Sequence, residues 1–292
     1  MAPDLPPVRA CIFDVDGTLI NSEDIYTDIY NTILREHGCK EYPWTIKALQ
    51  QSRGTEGTRR LLKWANIPLS LEEWKAAEKQ HIHLFANSEL LPGVEQLLAT
   101  LSTATTPSGR PVKLALASSA GRTLFNTKTG HLSCIQSAFQ DTRFHVFGDD
   151  PEMHDARKKP CPDIFLLALK RINDSITSAD AEKEPPLKPE ECLVFEDSIA
   201  GVEAARRAGM RVIWVPHKGL ARVCRGLEEK VLAGETEKEG VPPAFEEVNA
   251  EEEEVEDGKR KSVVSEDGWA EMRGDLEGFE WGRYGVSIQE TS

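Results

Sequence analysis

Two aspartates, Asp14 and Asp16, stand one residue apart directly after the apolar run Ala10–Phe13, and Gly17 and Thr18 complete the motif DVDGT. Carboxylates at the end of a buried strand are costly unless a cation or dense hydrogen bonding offsets their desolvation. A pair in this place can hold a metal and attack phosphorus. Asp14 would then be the nucleophile and carry an aspartyl-phosphate. Asp16 would protonate the leaving oxygen and later deprotonate water. Gly17 would let the backbone turn sharply, so that its N–H groups face phosphate oxygens. A carboxylate that attacks an anionic phosphate needs charge compensation, which points to Mg²⁺ and a lysine.

Taken alone, D-x-D suits a turn cap or metal-dependent glycosyl transfer equally well, so partner residues decide the reading. Glu196 and Asp197 follow the apolar run CLVF, where a second metal ligand is needed. Ser118 and Ser119 follow KLALA and suit hydrogen bonding to a phosphoryl oxygen. Lys159, in KKPCPD ahead of an apolar helix, can bridge the phosphate and Asp14. His81 and His83 are two residues apart, which sets them on different helix faces and favours packing over a metal site.

These residues need a scaffold that brings strand ends together. Ala10–Phe13, Lys113–Ala117, Cys192–Phe195 and Arg211–Val215 read as short buried strands, with a fifth at Phe144–Gly148. Helically spaced segments such as Pro162–Ile172 and Ser198–Ala208 alternate with them. That alternation predicts an α/β fold with a doubly wound parallel sheet, in which ligands bind beyond the carboxyl ends of the strands. Residues 21–90 hold only helix-like stretches, at Glu23–His37, Thr45–Gln51, Gly57–Trp64 and Leu71–Phe85, the last opened by a Ser70/Glu73 capping box. They are expected to form a helical cap inserted after the first strand. The catalytic core is then 8–20 and 91–220, with loops at Ser102–Pro111 and Asn173–Pro189. Residues 221–268 form an acidic insertion, disordered around Gly234–Ser265, and 269–292 dock on the body through Trp269, Phe279, Trp281 and Tyr284.

The charge of −14 argues against nucleic acid or an anionic membrane as the main partner. Six scattered cysteines without a C-x-x-C pair fit reduced thiols in a cytoplasmic protein. No apolar run approaches the ~20 residues of a membrane span. The N-terminal MAPDLPPVRA lacks the charged-then-apolar order of a secretory signal. The acidic insertion leaves room for a protein partner.

In order along the chain, DVDGT, LALASS, KKPCPDIF and FEDSIAGVEAARRAG resemble the haloacid dehalogenase superfamily of phosphohydrolases, over about residues 8–220. The resemblance implies a Rossmann-like core, Asp14 as nucleophile and Asp16 as acid/base. It implies Ser118 and Lys159 on the phosphoryl group. Asp14, Asp197 and the backbone carbonyl of Asp16 would hold Mg²⁺, with Glu196 supporting them. INSEDIYTDIYNTILREHG, LPGVEQLL, FNTKTGH and VFGDDPE are similar to the pseudouridine-5′-phosphatase-like branch and its sugar-phosphate relatives. In those relatives the cap contributes substrate contacts, and the candidate contact loop here is Ser52–Thr55. Gly54 matches its loop glycine, whereas Arg53, a candidate substrate contact, and Thr55 depart from it. The expected activity is Mg²⁺-dependent hydrolysis of a small phosphorylated metabolite. A sugar phosphomutase of the same fold or a non-catalytic binding protein are the alternatives.

Overall fold

The computed structural model describes residues 5–154, 156–176, 185–236 and 262–288. Five parallel strands lie where the apolar runs predict them: β1 (Ala10–Phe13), β2 (Lys113–Ser118), β3 (His145–Phe147), β4 (Cys192–Glu196) and β5 (Arg211–Trp214). β6 (Val263–Val264) and β7 (Ala270–Met272) extend the sheet, giving the order β3-β2-β1-β4-β5-β7-β6. β7 runs parallel to β5, and β6 antiparallel to β7. The fold is the expected doubly wound α/β sheet with a helical cap.

Period-two alternation explains why these strands read as continuous apolar runs. Ala10, Ile12, Ala115, Ala117, Cys192, Val194, Val212 and Trp214 face one buried layer. Cys11, Phe13, Leu116, Leu193, Phe195 and Ile213 face the other. A parallel sheet covered by helices on both faces has no wet side, so no polar alternation appears in its sequence. The register then fixes the functional end. Phe13 pairs with Leu116 on one side and Phe195 on the other, so the residues following all three emerge at one level.

The cap carries four helices, α1 (Ser22–Glu36), α2 (Trp44–Gln50), α3 (Thr55–Ala65) and α4 (Leu71–His81). The Ser70/Glu73 capping box is present in both directions. The stretch read as one helix to Phe85 instead tightens into a 3₁₀ segment, Ile82–Asn87. The cap has its own core, including Ile29, Tyr30, Leu61, Trp74 and Phe85. Its two connections pair with each other: Asn21 N–H donates to the Glu89 carbonyl, and the Asn21 side chain accepts from Glu89 N–H.

The acidic stretch is structured at its start. Within 221–268, helices occupy Lys218–Val223 and Glu228–Leu232, and Val231 and Leu232 are buried against the main core. Apolar anchors outweigh the acidity around them there. The disorder read at Gly234–Ser265 falls mostly on residues 237–261, outside those described. Residues 269–288 lie against the body through β7 and through Phe279, whose ring centroid is 5.5 Å from that of Phe195. Gly93, at φ +82°, accepts this segment so closely that a β-carbon would fall 2.2 Å from the Leu276 carbonyl carbon. No helix among the described residues is long and apolar enough to cross a membrane.

Candidate active site

Asp14 follows β1 directly, and its N–H donates to the Phe195 carbonyl at 3.0 Å. The backbone is thus held by the neighbouring strand, and the carboxylate is almost fully buried. Lys159, ahead of the helix Asp163–Asp174, lies between two carboxylates. Its Nζ is 2.5 Å from Asp14 Oδ1 and 2.5 Å from Glu196 Oε1. The side chain of Lys159 is fully enclosed. Burial pushes the Asp14 carboxyl up, to about 7, against the downward pull of Lys159 and with added repulsion from Glu196 and Asp16. Burial opposes the charge on Lys159, yet its two carboxylate partners hold its pKa above the usual lysine value.

The turn after Asp14 is built for close approach. Gly17 adopts φ +74°, and a β-carbon on it would sit 2.4 Å from Asp197 Oδ2. Only glycine lets Asp197 come this near the DVDGT turn. Burial, together with the charges of Glu23, Glu196 and Asp14, drives the Asp197 carboxyl well above the carboxylate range. This is a buried excess of negative charge, which a cation would relieve.

Among the described residues no three His, Cys, Asp or Glu side chains converge on one point as a metal cluster. Mg²⁺ binds one or two carboxylates and completes its shell with water and phosphate oxygens. The hard oxygen donors Asp14 and Asp197 fit such an ion. The arrangement separates Glu196 from the expected metal set. Its Oε1 takes Lys159, while its Oε2 accepts from Ser198 N–H at 2.8 Å and Ser198 Oγ at 3.0 Å. Glu196 therefore supports Lys159 and the start of the following helix, Ile199–Arg207.

The phosphate-binding candidates sit beside this pair. Ser118 ends β2, is buried, and its Oγ accepts from Ala120 N–H at 3.2 Å. Ser119 and Gly121 line a cavity of about 580 Å³ between core and cap, together with Asp14 and Asp16. Its cap wall includes Tyr26, Tyr30, Gln50, Gly54 and Glu78. Gly54 thus reaches the cavity as expected. Arg53 does not line it and is only 6% exposed. The neighbouring Gln51 makes the cap's direct contact with the acid cluster, its Nε2 donating to Asp197 Oδ2 at 2.9 Å. Ser52 Oγ lies 3.3 Å from Ser198 Oγ, whose own hydrogen is committed to Glu196, so Ser52 is the donor of that contact.

Asp16 is held by residues that sequence reasoning left out. Ser22 Oγ donates to Asp16 Oδ1 at 2.6 Å, and the ammonium of Lys128 pairs with the same oxygen. Lys128 lies on the helix Arg122–Thr129, and its side chain is completely enclosed. Its position within FNTKTGH was the available signal, although a lysine in a polar helix reads first as a solvated one.

Comparison with known proteins shows the family. The sequence profile of haloacid dehalogenase-like hydrolases matches residues 8–209. A probable pseudouridine-5′-phosphatase of Saccharomyces cerevisiae is 38% identical over 235 residues, covering 79% of this chain and 91% of the relative. (DL)-glycerol-3-phosphatase 1 of Arabidopsis thaliana is 33% identical, covering 76% of this chain and 68% of the relative. The crystal structure of CbbY from Rhodobacter sphaeroides with xylulose-(1,5)-bisphosphate superposes with a TM-score of 0.54. It is 25% identical and covers 74% of this chain and 89% of that one.

Proposed function

This chain belongs to the haloacid dehalogenase-like hydrolases, and from that premise we propose that it is a Mg²⁺-dependent phosphatase of a small phosphorylated metabolite, working through an aspartyl-phosphate on Asp14. The observation that carries the reading is the buried array of Asp14, Lys159 and Glu196 at the strand ends, with Asp14 on the wall of a cavity under the cap. The substrate class is pseudouridine 5′-phosphate or a sugar or polyol phosphate, supported by the relatives named above. Six unbridged cysteines, three of them buried, support a cytoplasmic setting.

In this mechanism Asp14 attacks phosphorus in line, and the bond to the leaving oxygen breaks as the new P–O bond forms. Lys159 keeps the nucleophile aligned and faces the phosphoryl oxygens along with Ser118 and Ser119. Asp16 gives its proton to the departing alkoxide, then takes one from the water that cleaves the acyl phosphate. Asp14, Asp197 and the Asp16 carbonyl would hold Mg²⁺, which when bound neutralises charge on the phosphoryl group. The cap keeps bulk water away from the acyl phosphate.

Phosphate release across a panel of phosphorylated nucleosides, sugars and polyols, with and without Mg²⁺, tests the reading. Metal-dependent release from one class is expected. A bisphosphate intermediate without net phosphate release would establish the mutase, and no reaction in a folded, metal-loaded sample would favour the binding protein.

The carboxyl shifts give a second test. In EDTA, folded Asp14 retains a proton up to about pH 7, whereas the unfolded chain releases it near 3.8. Between these values the unfolded state binds fewer protons, so metal-free stability falls as pH rises through the window. Mg²⁺ binds the deprotonated form, so its gain in Tm is expected to be larger at about pH 7.5 than at about pH 5. Equal gains at both values would remove Asp14 from the metal site.

A further inference from the structure

Lys128 is a buried cation beside the acid cluster to which the mechanism above gives no task. Its Nζ pairs with Asp16 Oδ1 and donates to Tyr26 Oη at 3.0 Å. It also lies 4.5 Å from the ring centroid of Tyr26 and 4.4 Å from that of Phe85. An ammonium stripped of water is expensive, and two aromatic faces plus one carboxylate are the compensation here. Lys128 belongs to the core, on the helix Arg122–Thr129, whereas Tyr26 on α1 and Phe85 in the 3₁₀ segment belong to the cap. The cation is therefore clamped across the two units.

Both donors to the Asp16 side chain, Lys128 and Ser22, fall on Oδ1. Among the described residues no hydrogen-bond donor reaches Oδ2, and Asp16 lines the cavity. We propose that Lys128 is a positioning residue that pins Oδ1 of Asp16, so that Oδ2 is the oxygen that exchanges its proton with the leaving group and with water. Neither an ammonium nor a hydroxyl that is already donating leaves Oδ1 room for a catalytic proton. Because Tyr26 and Phe85 hold Lys128 from the cap side, the pin is complete only with the cap down. The inference rests on the acid/base reading of Asp16 and adds to it which oxygen acts and what aims it.

The test uses Lys128→Met in the full, Mg²⁺-loaded protein, with Lys128→Gln as the second variant should methionine impair folding. An alkyl phosphate leaving group needs protonation, whereas p-nitrophenolate leaves without it. Turnover of the best alkyl phosphate is expected to fall about 100-fold in kcat with little change in KM. With p-nitrophenyl phosphate, a burst of one p-nitrophenolate per enzyme is expected, followed by slow release, because the water-activating step also uses Asp16. In an Asp16→Asn background, Lys128→Met is expected to cost nothing further. Equal losses for both leaving groups with a burst amplitude below one would mark a merely structural lysine and overturn the proposal. So would unchanged alkyl phosphate turnover alongside a crippled Asp16→Asn. Full activity in Asp16→Asn would instead remove the acid/base reading, and this inference with it.

Discussion

Asp14→Asn, folded and loaded with Mg²⁺, should release phosphate at least about 10⁴-fold more slowly than the natural enzyme, the scale seen when an enzyme loses its nucleophile. The amide is nearly the same size, and the backbone N–H bond to Phe195 stays in place. Lys159 keeps Glu196 as its anionic partner, so no cation is stranded. The substitution removes one of several buried carboxylates whose mutual repulsion already raises their pKa values. Its fold is therefore expected to survive, which makes the kinetic result readable. Rapid-quench labelling should find no phosphoprotein in the variant. Mg²⁺-dependent turnover in a preparation free of natural enzyme would overturn nucleophilic catalysis by Asp14.

The strand ends that hold Asp14 were readable because each strand is buried on both faces. ACIF, CLVF and RVIWV carry almost no polar interruption, so composition alone marks them. β7 was not readable for the opposite reason. Its middle residue is Glu271, a buried carboxylate met by Arg273 at 3.2 Å, Arg283 at 3.1 Å and Tyr284 Oη at 2.8 Å. The partners that make a glutamate acceptable in a strand become visible only after folding. Lys128 escaped for the same reason, being 112 residues from Asp16 in sequence. Lys47, buried on α2 and paired with Glu23 Oε2 at 3.0 Å, is a third case. The motifs reveal groups whose chemistry needs fixed spacing. They do not reveal lysines that a particular cap and core enclose. Arg53, a candidate substrate contact from its place beside Gly54, is packed at 6% exposure and does not line the cavity, a burial that its loop sequence does not announce.

Lys159→Met is expected to cost more in stability than any other single change at the site. The lysine is the cation between Asp14 and Glu196, and the Phe165 ring centroid lies 5.0 Å from its ammonium. Methionine fills a similar volume but leaves two carboxylates facing each other out of water. Breaking a buried pair by deleting one partner costs about 3–5 kcal/mol. Urea unfolding in EDTA at about pH 7 should report a loss of that order, with an unchanged m-value. Lowering the pH lets the carboxylates share a proton, so the deficit should shrink toward about pH 5. Catalysis should not return with it, because the phosphoryl group still lacks its ammonium. Adding Glu196→Gln separates the two roles. The double variant removes one of the stranded charges, so it is expected to regain much of the stability while staying inactive. A double variant as unstable as Lys159→Met would mean that shape, rather than charge, decides this part of the core. Regained activity would mean that Lys159 only neutralises its neighbours and takes no part in holding phosphate.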